Sequence, residues 1–171
     1  MTFSSIVGEA VRAWTLVRQG VIAELENVPA EQWNYRPHPD ARSISDIARH
    51  IADAGMGFTV ELLRPDGTFR RLLDKHESTL KNGTSKEVLL ERLRATGRDT
   101  ANWLTMLDET FAAHDIVTAV GHESRLTGLW FAISHEMYHR GQLATYARAL
   151  GIVPAMTQRM TALRPAVKNA A

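Results

Sequence analysis

Four long stretches of this chain repeat apolar residues at spacings of three and four, and no stretch reads as a long strand. Phe3, Val7, Ala10, Trp14, Val17, Val21 and Leu25 fall on one stripe of a helix, which Pro29 predicts to end near Asn27. Ser43-Ile-Ser-Asp46 has capping-box spacing and opens a second helix, with Ile44, Ile47, Ile51, Ala54 and Phe58 on its apolar face. Arg64-Pro65-Asp66-Gly67 closes it with turn chemistry. Thr84-Ser-Lys-Glu87 repeats the capping-box spacing before Val88, Leu93, Thr100, Trp103, Leu107 and Phe111. A fourth helix is expected from Thr127 to Leu150, stopped by Gly151 and Pro154.

The connectors are short. Residues 29–41 carry three prolines and suit no long element, so Trp33 is expected to tuck onto the helices. Residues 112–125 hold two brief β-favouring runs that fit a small hairpin. A short last helix is expected over Ala155–Leu163, with a flexible tail at 165–171. Amphipathic helices of similar length bury their stripes only against each other. The reading is therefore one all-α domain over residues 1–164, a four-helix bundle with a short C-terminal helix.

Charge and composition narrow the function. Twenty basic and 19 acidic residues leave a net charge of +1, with no electrostatic footprint for nucleic acid. Arg64, Arg70, Arg71 and Lys75 are interrupted by Asp66 and Asp74 and read as solvated surface. The absence of cysteine removes disulfides, thiolate ligands and a cysteine nucleophile together. The start lacks the features of a signal peptide, and no apolar run approaches the roughly 20 residues of a membrane helix. A cytoplasmic protein without a membrane partner is expected.

The seven histidines divide by position. His38, His76, His114 and His122 lie in connectors or near element ends and read as exposed or loosely packed. His135 and His139 are four apart, on one helical face, with Cβ atoms about 5–6 Å apart. His50 sits on the same side of its helix as Ile47 and Ala54. Three imidazoles buried without partners would leave polar nitrogens unsatisfied, and one divalent metal ion satisfies all three. Three protein ligands also leave positions open for water or substrate, as catalytic sites do. A histidine set suits zinc, nickel, iron or copper.

His135-Glu136-Met-Tyr-His139 also spells HExxH, the zinc-peptidase motif in which glutamate activates water. After Glu136 the chain contains no Asp, no Glu and no His but His139, and Gln142 and Thr145 stand where an extended motif wants Gly and His. The peptidase reading is thus a minor alternative. Glu136 lies about 100° from each neighbour around the helix, either as an exposed or supporting carboxylate or as a general base. Gln142 points along the ligand face, to orient substrate or to make an ordinary helix–helix hydrogen bond. Asp46 and Asp53 are candidates to hold the free ring nitrogen of His50. Arg140 is placed at a surface or dimer interface, or against an anionic substrate, and Trp14 in the core.

The runs Ser43-Ile-Ser-Asp-Ile-Ala-Arg-His50-Ile and His135-Glu-Met-Tyr-His139-Arg-Gly-Gln-Leu143 resemble the DinB-like (YfiT-like) superfamily. So do the proline-bearing connector and the ending Tyr146-Ala-Arg-Ala-Leu-Gly151. The resemblance implies an up-down-down-up order of helices, a homodimer, and a metal on His50, His135 and His139. It implies nickel or zinc; the expected cofactor is one divalent ion, zinc or nickel first, with iron or manganese after them. It also implies chemistry with a low-molecular-weight thiol, which this cysteine-free chain must take from outside.

The expected function is a metal-dependent enzyme, a hydrolase or thiol S-transferase acting on a small molecule, with Glu136 and Gln142 as candidate catalytic residues. The alternative is a non-catalytic, metal-binding stress-response bundle.

Overall fold

The computed structural model describes residues 5–67, 80, 83–118 and 121–168. Among the described residues six helices and one hairpin follow in order: α1 (Ile6–Glu26), α2 (Ile44–Leu62), α3 (Lys86–Leu104), α4 (Glu109–Ala113), β1 (Asp115–Thr118), β2 (Gly121–Ser124), α5 (Arg125–Ala149) and α6 (Ala155–Lys168). A 3₁₀ turn at Ala30–Gln32 lies between α1 and α2. No helix of the described residues is long and apolar enough to cross a membrane.

The long helices α1, α2, α3 and α5 form the bundle, and their directions follow from two apolar layers. One layer joins the end of α1 (Val21, Leu25), the start of α2 (Ile44, Ile47, Ile51), the start of α3 (Leu89, Leu93) and the end of α5 (Leu143, Tyr146). The other joins the start of α1 (Val7, Trp14), the ends of α2 and α3 (Leu62, Leu104) and the start of α5 (Leu129, Ile133). Hence α1 and α5 run one way and α2 and α3 the other, an up-down-down-up order. Each of α1 and α2 packs against both α3 and α5, so the two consecutive helices α1 and α2 sit on a diagonal.

Local chemistry sets the ends of these helices. Ser43 and Asp46 form a complete capping box: Asp46 N–H donates to Ser43 Oγ (3.1 Å) and Ser43 N–H donates to Asp46 Oδ2 (3.1 Å). That fixes the first turn of α2, two turns ahead of His50. Gly151 takes a φ of +75° at the end of α5, the left-handed conformation that a Cβ disfavours. Glu24, buried on α1, accepts from Ala155 N–H (2.8 Å) and Met156 N–H (3.0 Å), so its carboxylate seats the first turn of α6. Buried Arg125 donates to the carbonyls of Leu62 (3.0 Å) and Arg64 (2.8 Å), satisfying the end of α2.

The structure corrects several expectations. Ser85, not Thr84, caps α3, accepting from Val88 N–H. The buried face of α3 is Leu89, Leu90, Leu93, Thr96, Thr100 and Leu104, whereas Val88 and Trp103 are exposed. The helix stops at Leu104, and Leu107 and Phe111 belong to the following turn and α4. On α2, Ala48, Ala52 and Gly55 are buried where Ala54 and Phe58 are half-exposed. The expected hairpin is present, pairing Asp115 with Ser124 through Thr118 with Gly121. Trp33 is buried. The last helix runs on to Lys168, past Leu163 and Pro165. Phe3, His76, Arg70, Arg71, Asp74 and Lys75 lie outside the described residues.

Candidate metal centre

Between the two apolar layers the bundle turns polar. Arg18 on α1 and Glu136 on α5 are both buried, 3% and 2% exposed, and face each other across the interior. Arg18 donates through Nη2 to Glu136 Oε1 (2.5 Å) and through Nε to Oε2 (2.8 Å), a two-pronged ion pair. Its Nη1 donates to the carbonyl of Leu93 (3.2 Å) and to Thr96 Oγ1 (3.1 Å), and its guanidinium lies 5.0 Å from the centre of the Trp14 ring.

Room for this side chain comes from glycine. A Cβ on Gly55 would strike Arg18 Nη2, and one on Gly97 would lie 3.3 Å from Arg18 Cγ. The stripe on α1 therefore runs Val7, Ala10, Trp14, Arg18, Val21, Leu25, with Arg18 in the place expected of Val17, which is half-exposed. Glu136 likewise lies on the buried stripe of α5 with Leu129, Ile133 and Leu143, so the exposed reading of this residue is overturned. Both carboxylate oxygens are held inside the bundle, away from the free position that a water-activating HExxH glutamate needs.

The three histidines meet beside this layer. His139 is buried, and His50 and His135 are half-buried at the seam of α2 and α5. His135 Nε2 lies 2.9 Å from His50 Nε2 and 3.2 Å from His139 Nε2. One ring nitrogen from each residue falls within 4.8 Å of the other two. The rings meet edge to face, with interplanar angles of 66°, 80° and 81°. Nitrogens held about 2.0–2.1 Å from a zinc ion in tetrahedral array lie about 3.3 Å apart, close to the separations of the His135–His50 and His135–His139 pairs. His38, His114 and His122 are exposed, as expected.

Hydrogen bonding and burial favour neutral, ligating rings. Gln142 Oε1 lies 2.7 Å from His139 Nδ1, an acceptor that holds the proton there and turns the Nε2 lone pair toward the centre. Gln142 Nε2 in turn donates to the Tyr138 hydroxyl (3.2 Å). The bond of Gln142 stays within α5 rather than crossing between helices. Burial, then the Arg42 guanidinium and the two neighbouring rings, push the His50 pKa down to about 3. Burial, then His139, Arg42 and Arg18, push that of His135 down to about 4. His139 is lowered by burial against the opposing hydrogen bond of Gln142.

The carboxylates expected near His50 go elsewhere. Asp46 accepts from Ser43, Arg36 and Arg49, and Asp53 makes no hydrogen bond to His50 among the described residues. Arg140 lies over Gly20 on α1, its guanidinium occupying the space that a Cβ would take. Trp14 is core, as expected, whereas Trp130 is 46% exposed.

Sequence reading passed over Arg18 and Arg42. The signal for Arg18 was present: it sits four residues from Trp14 and seven from Leu25, a charge interrupting an apolar stripe. Arg42 is an exposed loop residue whose charge bears on all three rings, and no local pattern marks it.

Comparison with known proteins agrees with this architecture. The crystal structure of a DinB-like protein, YjoA from Bacillus subtilis, matches with a TM-score of 0.68 at 20% identity, over 84% of this chain and 92% of that one. YfiT from Bacillus subtilis, described as a probable metal-dependent hydrolase with an unusual four-helix bundle topology, matches with a TM-score of 0.71 at 15% identity, over 89% of this chain and 93% of that one. Among curated proteins none matches the chain. The family model of the DinB superfamily matches residues 13–143, which cover most of α1, all of α2 and α3 and the ligand-bearing part of α5, and the chain belongs to that superfamily.

Proposed function

We propose that this chain is a metal-dependent enzyme in which His50, His135 and His139 hold one divalent cation, zinc or nickel first, for hydrolysis or thiol transfer on a small molecule. The observation that carries the reading is the convergence of three Nε2 atoms, 2.9 and 3.2 Å apart along the chain of contacts, with no carboxylate among them. A cation so held supplies Lewis acidity, lowering the pKa of a bound water or external thiol toward neutrality.

The protein's own groups prepare that role. Gln142 fixes the tautomer of His139. The Arg18–Glu136 pair stiffens α5 against α1 at the level of the ligands and holds both Glu136 oxygens on Arg18. Half-burial of His50 and His135 leaves one side open, where a small substrate can approach. The description of YfiT as a probable metal-dependent hydrolase supports the same class of chemistry.

The test is elemental analysis of purified protein together with hydrolysis and thiol-transfer screens, on wild type and His135→Ala. One equivalent of metal, lost in the variant along with turnover, is the expected result. With the cation at about 100 times its Kd, wild type gains about 2.7 kcal/mol of stability, and the variant gains none. Wild type that takes up no divalent cation overturns the reading, and metal without turnover in either screen leaves the non-catalytic bundle in its place.

A further inference from the structure

The open side of the histidine cluster is walled by rings, and the charge of Arg42 is felt at all three imidazoles. Phe58, two turns beyond His50 on α2, packs its ring 5.6 Å from that of His135 and 5.4 Å from that of Phe131. Phe131 is 58% exposed. On the far side Tyr138, 64% exposed, lies 5.1 Å from His139. Such rings on a helix surface present flat apolar faces at the mouth of a polar site.

The charge balance is lopsided. Three neutral imidazoles leave both charges of a divalent cation uncompensated. Glu136 is neutralised by Arg18, and Asp46 by Arg49 and Arg36. Arg42 adds a further positive charge, and it makes no ion pair among the described residues.

We propose that the loaded site recognises a small amphiphilic organic anion, its charged end set between Arg42 and the three-histidine centre and its flat apolar body laid against Phe58 and Phe131. The inference rests on the metal-holding role of the histidines and adds the class of molecule they serve. Charge selects the anion, and the aromatic wall selects against small inorganic or aliphatic anions that fill only the polar end.

The test uses protein loaded with cobalt(II), whose visible absorption reports on groups that bind at the metal. Three probes are titrated: phenylacetate, acetate (the charge without the ring) and 2-phenylethanol (the ring without the charge). Phenylacetate is expected to bind about tenfold more tightly than either. Arg42→Ala is expected to weaken both carboxylates about fivefold without weakening cobalt binding. Phe58→Leu and Phe131→Ala are each expected to erode the preference for phenylacetate over acetate and to leave acetate unchanged. Equal binding of phenylacetate and acetate by wild type, or an Arg42→Ala protein that binds both as wild type does, overturns the proposal while the cobalt spectrum still stands. Failure to form a cobalt spectrum that depends on His135 overturns the metal site itself, and the proposal with it.

Discussion

At its two ends the bundle buries aliphatic and aromatic side chains from four helices, while in its middle it buries a guanidinium, a carboxylate and an imidazole. The apolar layers there gain stability chiefly from area, and similar volumes in other shapes would serve them nearly as well. The middle depends on direction. Arg18 spends its donors on Glu136, Leu93 and Thr96, and it reaches them because Gly55 and Gly97 stand aside. The comparison teaches where the chain has accepted cost. A buried ion pair adds little net stability relative to an apolar replacement, so its presence beside the histidines points to geometry rather than cohesion as what it supplies.

The sharpest way to break that contrast is to remove one partner of the pair. Glu136→Ala strands the Arg18 charge, and urea denaturation is expected to show a loss of about 3–5 kcal/mol. The double replacement Arg18→Met with Glu136→Leu is expected to recover most of that loss yet to bind divalent metal more weakly. A double variant with wild-type metal affinity would make the pair purely cohesive, no different in kind from the end layers.

A finer probe separates the ligands from their support. Gln142→Ala leaves all three histidines in place but frees the tautomer of His139. Metal affinity by competitive chelation is expected to fall 10- to 100-fold, about 1.4–2.7 kcal/mol, with metal-free stability nearly unchanged. An unchanged affinity would show that Gln142 does not orient the ring.

A further effect is in pH. In metal-free protein His50 and His135 titrate near 3 and 4 when folded, and near 6.5 when unfolded. Between those limits the unfolded chain binds more protons, so stability is complete above about pH 6.5 and declines as pH falls toward 4. Thermal melts from pH 7.5 to 5 are expected to show a falling Tm that flattens in a variant carrying His50→Gln and His135→Gln. A slope that survives both replacements would trace the dependence to other groups.

The features legible in sequence were those written locally. The Ser43–Asp46 capping box, the Gly151 stop, the hairpin and the His135–His139 spacing each depend on residues a few positions apart, where chain geometry leaves little freedom. The bundle followed from periodicity, but the diagonal placement of α1 and α2 did not, because an apolar stripe does not name its neighbour. That order came from family resemblance. On α3 the register slipped because Val88 and Trp103 offered apolar character that the fold leaves in solvent. Arg18 escaped notice, and the burial of Glu136 was left open, for the converse reason: their burial is intelligible only once they are seen as a pair, 118 residues apart. His50 was legible as a ligand only because three imidazoles needed a common partner.

The distance of His50 from its companions has a temporal consequence. His50 and His135 are separated by 85 residues, and the last two nitrogen donors are both carried by α5. During synthesis at about 5–20 residues per second, the emerging chain holds a single donor for several seconds while α2 and α3 are already made. No partial product lacking α5 can capture an ion with the full set. Metal uptake is thereby deferred until α5 docks, and a loaded site certifies that α2 and α5 have met.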